Sequence, residues 1–88
     1  MPYEEKVGRR FDGWMRQQEN RGRRFTEQQV AWLEMIRDHV VGSLEIDVED
    51  FELTPFSEAG GLGKATEVFG SGSELRSLLD ELKVELAA

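Results

Sequence analysis

The sequence predicts an all-α fold: a small helical domain of four to five helices with short irregular connections. Three observations carry this. Phe25 to Leu44 joins a helix start signal to apolar groups at helical spacing. Leu75, Leu78, Leu79, Leu82 and Leu86 repeat that spacing near the end of the chain. In the irregular stretch between them, a short strand would lack an obvious partner. With 88 residues, the chain makes a single domain over residues 1–88 with a thin core.

The first helix is expected from residue 3 to about residue 20, where Val7, Phe11, Trp14 and Met15 lie close to helical spacing. Gly8 and Gly13 weaken it by about 1 kcal/mol each relative to alanine. Asn20-Arg21-Gly22 breaks it, with Gly22 suited to a left-handed conformation after the helix. The second helix opens on Thr26 as N-cap, and Gln29 completes a capping box. Phe25 before the cap and Val30 after it have the spacing of a hydrophobic staple. Val30, Leu33, Ile36 and Val40 then form one stripe, which Trp32, Met35 and His39 widen. A face that wide predicts contact with more than one neighbour. Gly42-Ser43 ends the helix.

Ile46 to Phe56 reads as irregular. Asp47 caps a short turn through Phe51, and Pro55 pushes Thr54 away from helical geometry. Phe51, Leu53 and Phe56 are expected to pin this segment to the core. Gly60-Gly61-Leu62-Gly63 leads flexibly into a short helix from Lys64 to Phe69, stopped by Gly70. Ser71 and Ser73 both fit the cap of the last helix. Ser71 has Glu74 at capping-box spacing, whereas Ser73 sits closer to the apolar run. The leucine stripe lasts under two heptads, too short for a free-standing coiled coil. Asp80, Glu81 and Glu85 are expected on its solvated side. The chain has no internal repeat and no low-complexity tract.

Composition excludes several kinds of chemistry. There are no cysteines, which removes disulfides, thiolate metal sites and cysteine nucleophiles. No apolar run approaches the roughly 20 residues needed to span a bilayer, and the N-terminus lacks an apolar signal core. A soluble, cytoplasmic protein is the expectation. The net charge of −7 is unevenly spread. Residues 1–25 hold seven basic and four acidic residues, a balance of +3; the rest hold four basic and fourteen acidic, a balance of −10. Such an acidic majority makes a poor general nucleic-acid binder, although the basic N-terminal edge suits phosphate or an acidic partner.

Individual motifs fail their chemical tests. Gly60-Gly61-Leu62-Gly63-Lys64 invites a phosphate-loop reading, but Ala65 follows the lysine where a Ser or Thr must meet the metal. Glu58 stands where the first glycine belongs, and no apolar strand leads in. A glycine turn that lets a helix start pack closely is the better reading. His39 is the single histidine, without cysteine partners for a zinc site. Ser43, four residues on, shows no sign of activation as a nucleophile, so packing is the expected role of His39. Glu49-Asp50 and Asp80-Glu81 are sequence neighbours that do not share a helical face. No catalytic, cofactor-binding or metal-binding residue is therefore assigned. Arg21-Gly22-Arg23-Arg24 reads first as a solvated inter-helix loop; contact with DNA phosphate or an acidic subunit is the alternative, which makes Arg21, Arg23 and Arg24 the candidate phosphate contacts. Trp14 and Trp32 lie on apolar faces and read as core, with a partner interface as the alternative. Trp14, Trp32, Met35 and Phe56 are the candidate partner interface.

Several motifs occur together in order: Phe25-Thr26-Glu27-Gln28, Trp32 to His39, Glu49-Asp50-Phe51, Pro55-Phe56, Gly60 to Ala65, Phe69-Gly70 and Leu78-Leu79-Asp80-Glu81-Leu82. As a set they resemble the C-terminal domain of the R (restriction) subunit of type I restriction enzymes. The resemblance covers nearly the whole chain and is densest over 25–88, with 1–24 a helical lead-in. Glu85-Leu86-Ala87-Ala88 is similar to the end of that subunit. The resemblance implies a piece of a larger protein whose other domains cut DNA and translocate it with ATP and magnesium. It implies that this domain docks the subunit onto the modification and specificity subunits that form the methyltransferase core. DNA would be met through the parent complex, and no membrane or small-molecule substrate is implied. None of the nuclease or ATPase motifs occurs here, so no catalytic residue carries over.

Overall fold

Local hydrogen bonds set the end of the first helix and the starts of the second and the last. A computed structural model describes residues 3–43 and 46–87. In chain order they form α1 (Tyr3–Asn20), α2 (Glu27–Ser43), a 3-10 turn (Val48–Glu52), α3 (Thr54–Glu58), α4 (Gly61–Phe69) and α5 (Gly72–Ala87). Among the described residues there is no strand.

Helix α1 ends in a Schellman motif. The Arg23 amide donates to the Gln18 carbonyl at 2.9 Å and the Gly22 amide to the Glu19 carbonyl at 2.9 Å. Gly22 takes φ +85°, which glycine tolerates without a steric penalty. Helix α2 opens on the expected reciprocal box. The Thr26 amide donates to Gln29 Oε1 at 2.9 Å, and the Gln29 amide donates to Thr26 Oγ1 at 3.2 Å. Gln29 then reaches across the molecule, its side-chain amide donating to the Val68 carbonyl at 3.1 Å. Phe25, half-buried, stacks on Trp14 of α1 with ring centroids 5.8 Å apart.

The middle of the chain is more helical than its sequence predicts. The Asp47 amide donates to Asp50 Oδ2 at 2.6 Å, which fixes the 3-10 turn. After it, Thr54 does not leave helical geometry: it opens α3, with Pro55 in the first turn. A proline there forfeits only an N–H that has no intrahelical partner anyway. Leu53, extended at φ −70° and ψ 153°, is the N-cap residue and 44% exposed, so it does not anchor the segment as expected. Phe51 and Phe56 on either side are fully buried. Helix α4 starts at Gly61 rather than Lys64, so most of the glycine stretch lies inside it. Ser71 caps α5: its Oγ accepts from the Glu74 amide at 3.2 Å.

The core is one cluster built from every helix. Val7, Phe11 and Trp14 of α1 are buried, and α1 packs along α5 and α2. All five leucines of the α5 stripe are buried, at 3% exposure or less. On α2 the buried face comprises Trp32, Leu33, Ile36 and Val40, with Val30 and Met35 at its edges and only half-buried. That face meets α1 and α4, and Trp32 also meets Phe51 and Phe56. The expected contact with more than one neighbour follows from this width. The radius of gyration is 12.4 Å, against about 12 Å for a compact chain of this length.

Candidate functional site

The glycine corner is explained by backbone geometry. Gly60 has φ +116° and Gly61 φ +67°, both in the left-handed region. A Cβ at Gly60 would lie 2.5 Å from the Cβ of Lys64, so the corner turns tightly over that lysine's stem. The segment feeding it is α3, where a phosphate loop requires a strand. Lys64 itself lies 3.9 Å from Glu67, one turn along the same helix.

His39 is half-buried and packs edge-on against Phe56, with centroids 5.2 Å apart. Its Nε2 lies 3.8 Å from Asp50 Oδ2, so it links α2 to the 3-10 turn. The Ser43 side chain lies outside the described residues. Among the described residues, no three His, Cys, Asp or Glu side chains gather as a metal site would require. Of the adjacent acids, Asp50 caps its own turn and Glu81 pairs with an arginine, while Glu49 and Asp80 face solvent.

Three of the four candidate interface residues are committed to the interior. Trp14 is 3% exposed, Trp32 4% and Phe56 0%. Trp32 and Phe56 stack nearly parallel at 6.0 Å, and Phe51 closes the group at 5.7 Å from Trp32 and 5.0 Å from Phe56. Their wide apolar faces are used within the domain, so they offer a partner no surface. Met35, at the edge of the α2 face, is half-buried and keeps some surface.

The arginine cluster divides by function. Arg23 Nη1 donates to Gln18 Oε1 at 2.9 Å and to Glu81 Oε2 at 3.2 Å. Gln18 is the buried polar residue of α1, at 3% exposure, so Arg23 ties the end of α1 to α5. Both charged partners are more than 40% exposed, which keeps their ion pair below about 1 kcal/mol. Arg21 and Arg24 are exposed, and among the described residues neither has an ion pair.

Arg24 stands on the rim of an open groove of about 470 Å³. The α1–α2 connection forms one wall and the first half of α5 the other, with Phe25, Phe69 and Leu78 between them. The groove is not legible in the sequence because its two walls, at Arg24 and at Glu74, are far apart in the chain. Gln18 was missed too. Its spacing from Phe11 and Trp14 puts it on the apolar face of α1, which is the one signal that could have found it.

Among the described residues, no helix is long and apolar enough to cross a membrane. A family model described as "EcoEI R protein C-terminal" matches residues 1–87. Neither the curated protein sequences nor the solved structures give a match.

Proposed function

The chain belongs to the family formed by the C-terminal domain of the type I restriction enzyme R protein, and from that premise we propose that it is an assembly domain. It docks the DNA-translocating and DNA-cutting R subunit onto the methyltransferase core of modification and specificity subunits. The family match over residues 1–87 carries the reading. The side chains are consistent with it. The single histidine is engaged in packing, the glycine corner is a turn, and the arginine edge is left at the surface. ATP and magnesium would be held elsewhere in the parent protein. With Trp14, Trp32 and Phe56 inside the core, Met35 and the arginine-edged groove are the surfaces left for a partner among the residues singled out.

The test is co-purification. An R protein lacking this domain should fail to elute with the modification and specificity subunits, while the intact protein elutes with them. Normal assembly without the domain would sink the reading. One observation favours a second reading: exposed Arg21 and Arg24 suit phosphate oxygens, making the domain an auxiliary DNA contact. Arg23, occupied by Gln18 and Glu81, would contribute less. Binding of that kind would weaken steeply with salt as counterions are released.

A further inference from the structure

We propose that the groove between the α1–α2 connection and α5 seats an acidic segment of a protein partner, with Arg24 as its charged anchor. The proposal rests on the docking reading and gives it a location.

Charge complementarity carries the argument. The chain has a net charge of −7, so most of its surface repels an acidic partner. The α1–α2 connection holds the densest basic cluster, three arginines in four residues. Arg23 is neutralised by Glu81, at 3.2 Å. Arg24 has no such partner among the described residues, which leaves its positive charge available at the groove. A carboxylate there gains a planar, bidentate donor. The same carboxylate set against the acidic remainder of the chain meets like charge, so this corner also favours one orientation of docking.

The floor and far wall point to protein rather than nucleic acid. Phe25 is half-buried and lines the groove together with the buried Phe69 and Leu78. This gives an apolar side chain a place to rest beside the acid. On the α5 wall, Ser73 and Ser77 are exposed one turn apart and can donate to or accept from a peptide backbone. Glu74 lies on the same wall, so a backbone with a phosphate at every step meets repulsion there that a segment with a single carboxylate at Arg24 can avoid. An Asp or Glu next to an apolar residue satisfies both walls; a duplex backbone satisfies only the arginines.

The experiment uses the R protein that carries this domain and an assembled core of modification and specificity subunits. Affinity is measured by titration for the intact protein, the domain deletion, Arg24→Glu, Ser77→Trp and Arg9→Glu. The last is an exposed α1 arginine that does not line the groove. Thermal unfolding of each point variant is followed in parallel and should be unchanged. Charge reversal and plugging should each weaken binding roughly tenfold or more, while Arg9→Glu stays within about twofold. If both groove variants bind like the intact protein while the deletion abolishes binding, the groove is overturned and the docking reading stands. If the deletion is also harmless, both fall. If Arg24→Glu lowers affinity for duplex DNA and leaves subunit binding intact, the occupant is nucleic acid and the proposal fails.

Discussion

Replacing Trp32 with alanine asks whether this ring serves the domain or its partner. The ring is 4% exposed, stacks on Phe56 at 6.0 Å and tilts against Phe51 at 5.7 Å. Removing a buried tryptophan costs about 3–5 kcal/mol in lost transfer energy and residual cavity. Two ring contacts disappear with it, which places this site toward the upper end, at about 4 kcal/mol or more. A domain of this size has about 4–13 kcal/mol in total, so Trp32→Ala should leave it marginal or unfolded. Each kcal/mol corresponds to about 4–8 °C of melting temperature. Urea unfolding followed by far-ultraviolet circular dichroism measures the loss. Trp14→Phe leaves Trp32 as the only tryptophan, and its emission should then be that of a buried indole. A loss below about 1 kcal/mol, or solvent-exposed emission, would refute the core assignment. Stable folding with lost partner binding would make Trp32 an interface anchor instead.

Three further substitutions test the local accounts. Gly13→Ala should raise stability by about 1 kcal/mol, seen as a higher melting temperature, because the helix gains propensity and no neighbour lies within 4 Å of the new Cβ. Gly60→Ala should cost about 1–3 kcal/mol of stability, read as a lower urea midpoint, since φ is +116° and the new Cβ would press on Lys64. Arg23→Ala should cost about 1–2 kcal/mol and Glu81→Ala less than about 1 kcal/mol, because Arg23 also serves the buried Gln18. A double-mutant cycle of that pair by chemical denaturation checks the ordering.

The elements most legible in the sequence are those fixed by local chemistry. Thr26 and Gln29 form their box as read, and the α5 leucines are buried as their spacing requires. Gly22 takes the left-handed conformation its position after a helix predicts. Of the two serines that fit the α5 cap, the hydrogen bond chooses Ser71. Helix α3 was illegible because a proline is read first as a breaker. Only the extended Leu53 before it puts Pro55 in a first turn, where it is tolerated. The same ambiguity hid the start of α4, since glycines weaken a helix without forbidding it.

The site was less legible than the fold. An apolar residue at helical spacing fits a core and an interface equally well, and only tertiary packing consigned Trp14, Trp32 and Phe56 to the interior. Arginine clustering does not reveal the division of labour among the three side chains. Arg23 is spoken for by Gln18 and by Glu81, which lies 58 positions away in the chain. That clamp sets the end of α1 against α5 and so places Arg24 at the groove rim.

On the docking reading, this domain carries the R protein's attachment to its methyltransferase core. An equilibrium titration of that core with the intact R protein, and with the R protein lacking this domain, tests it most directly. Deletion should weaken assembly by roughly a hundredfold or more, a loss of about 2.7 kcal/mol. Equal dissociation constants for the two proteins would contradict it.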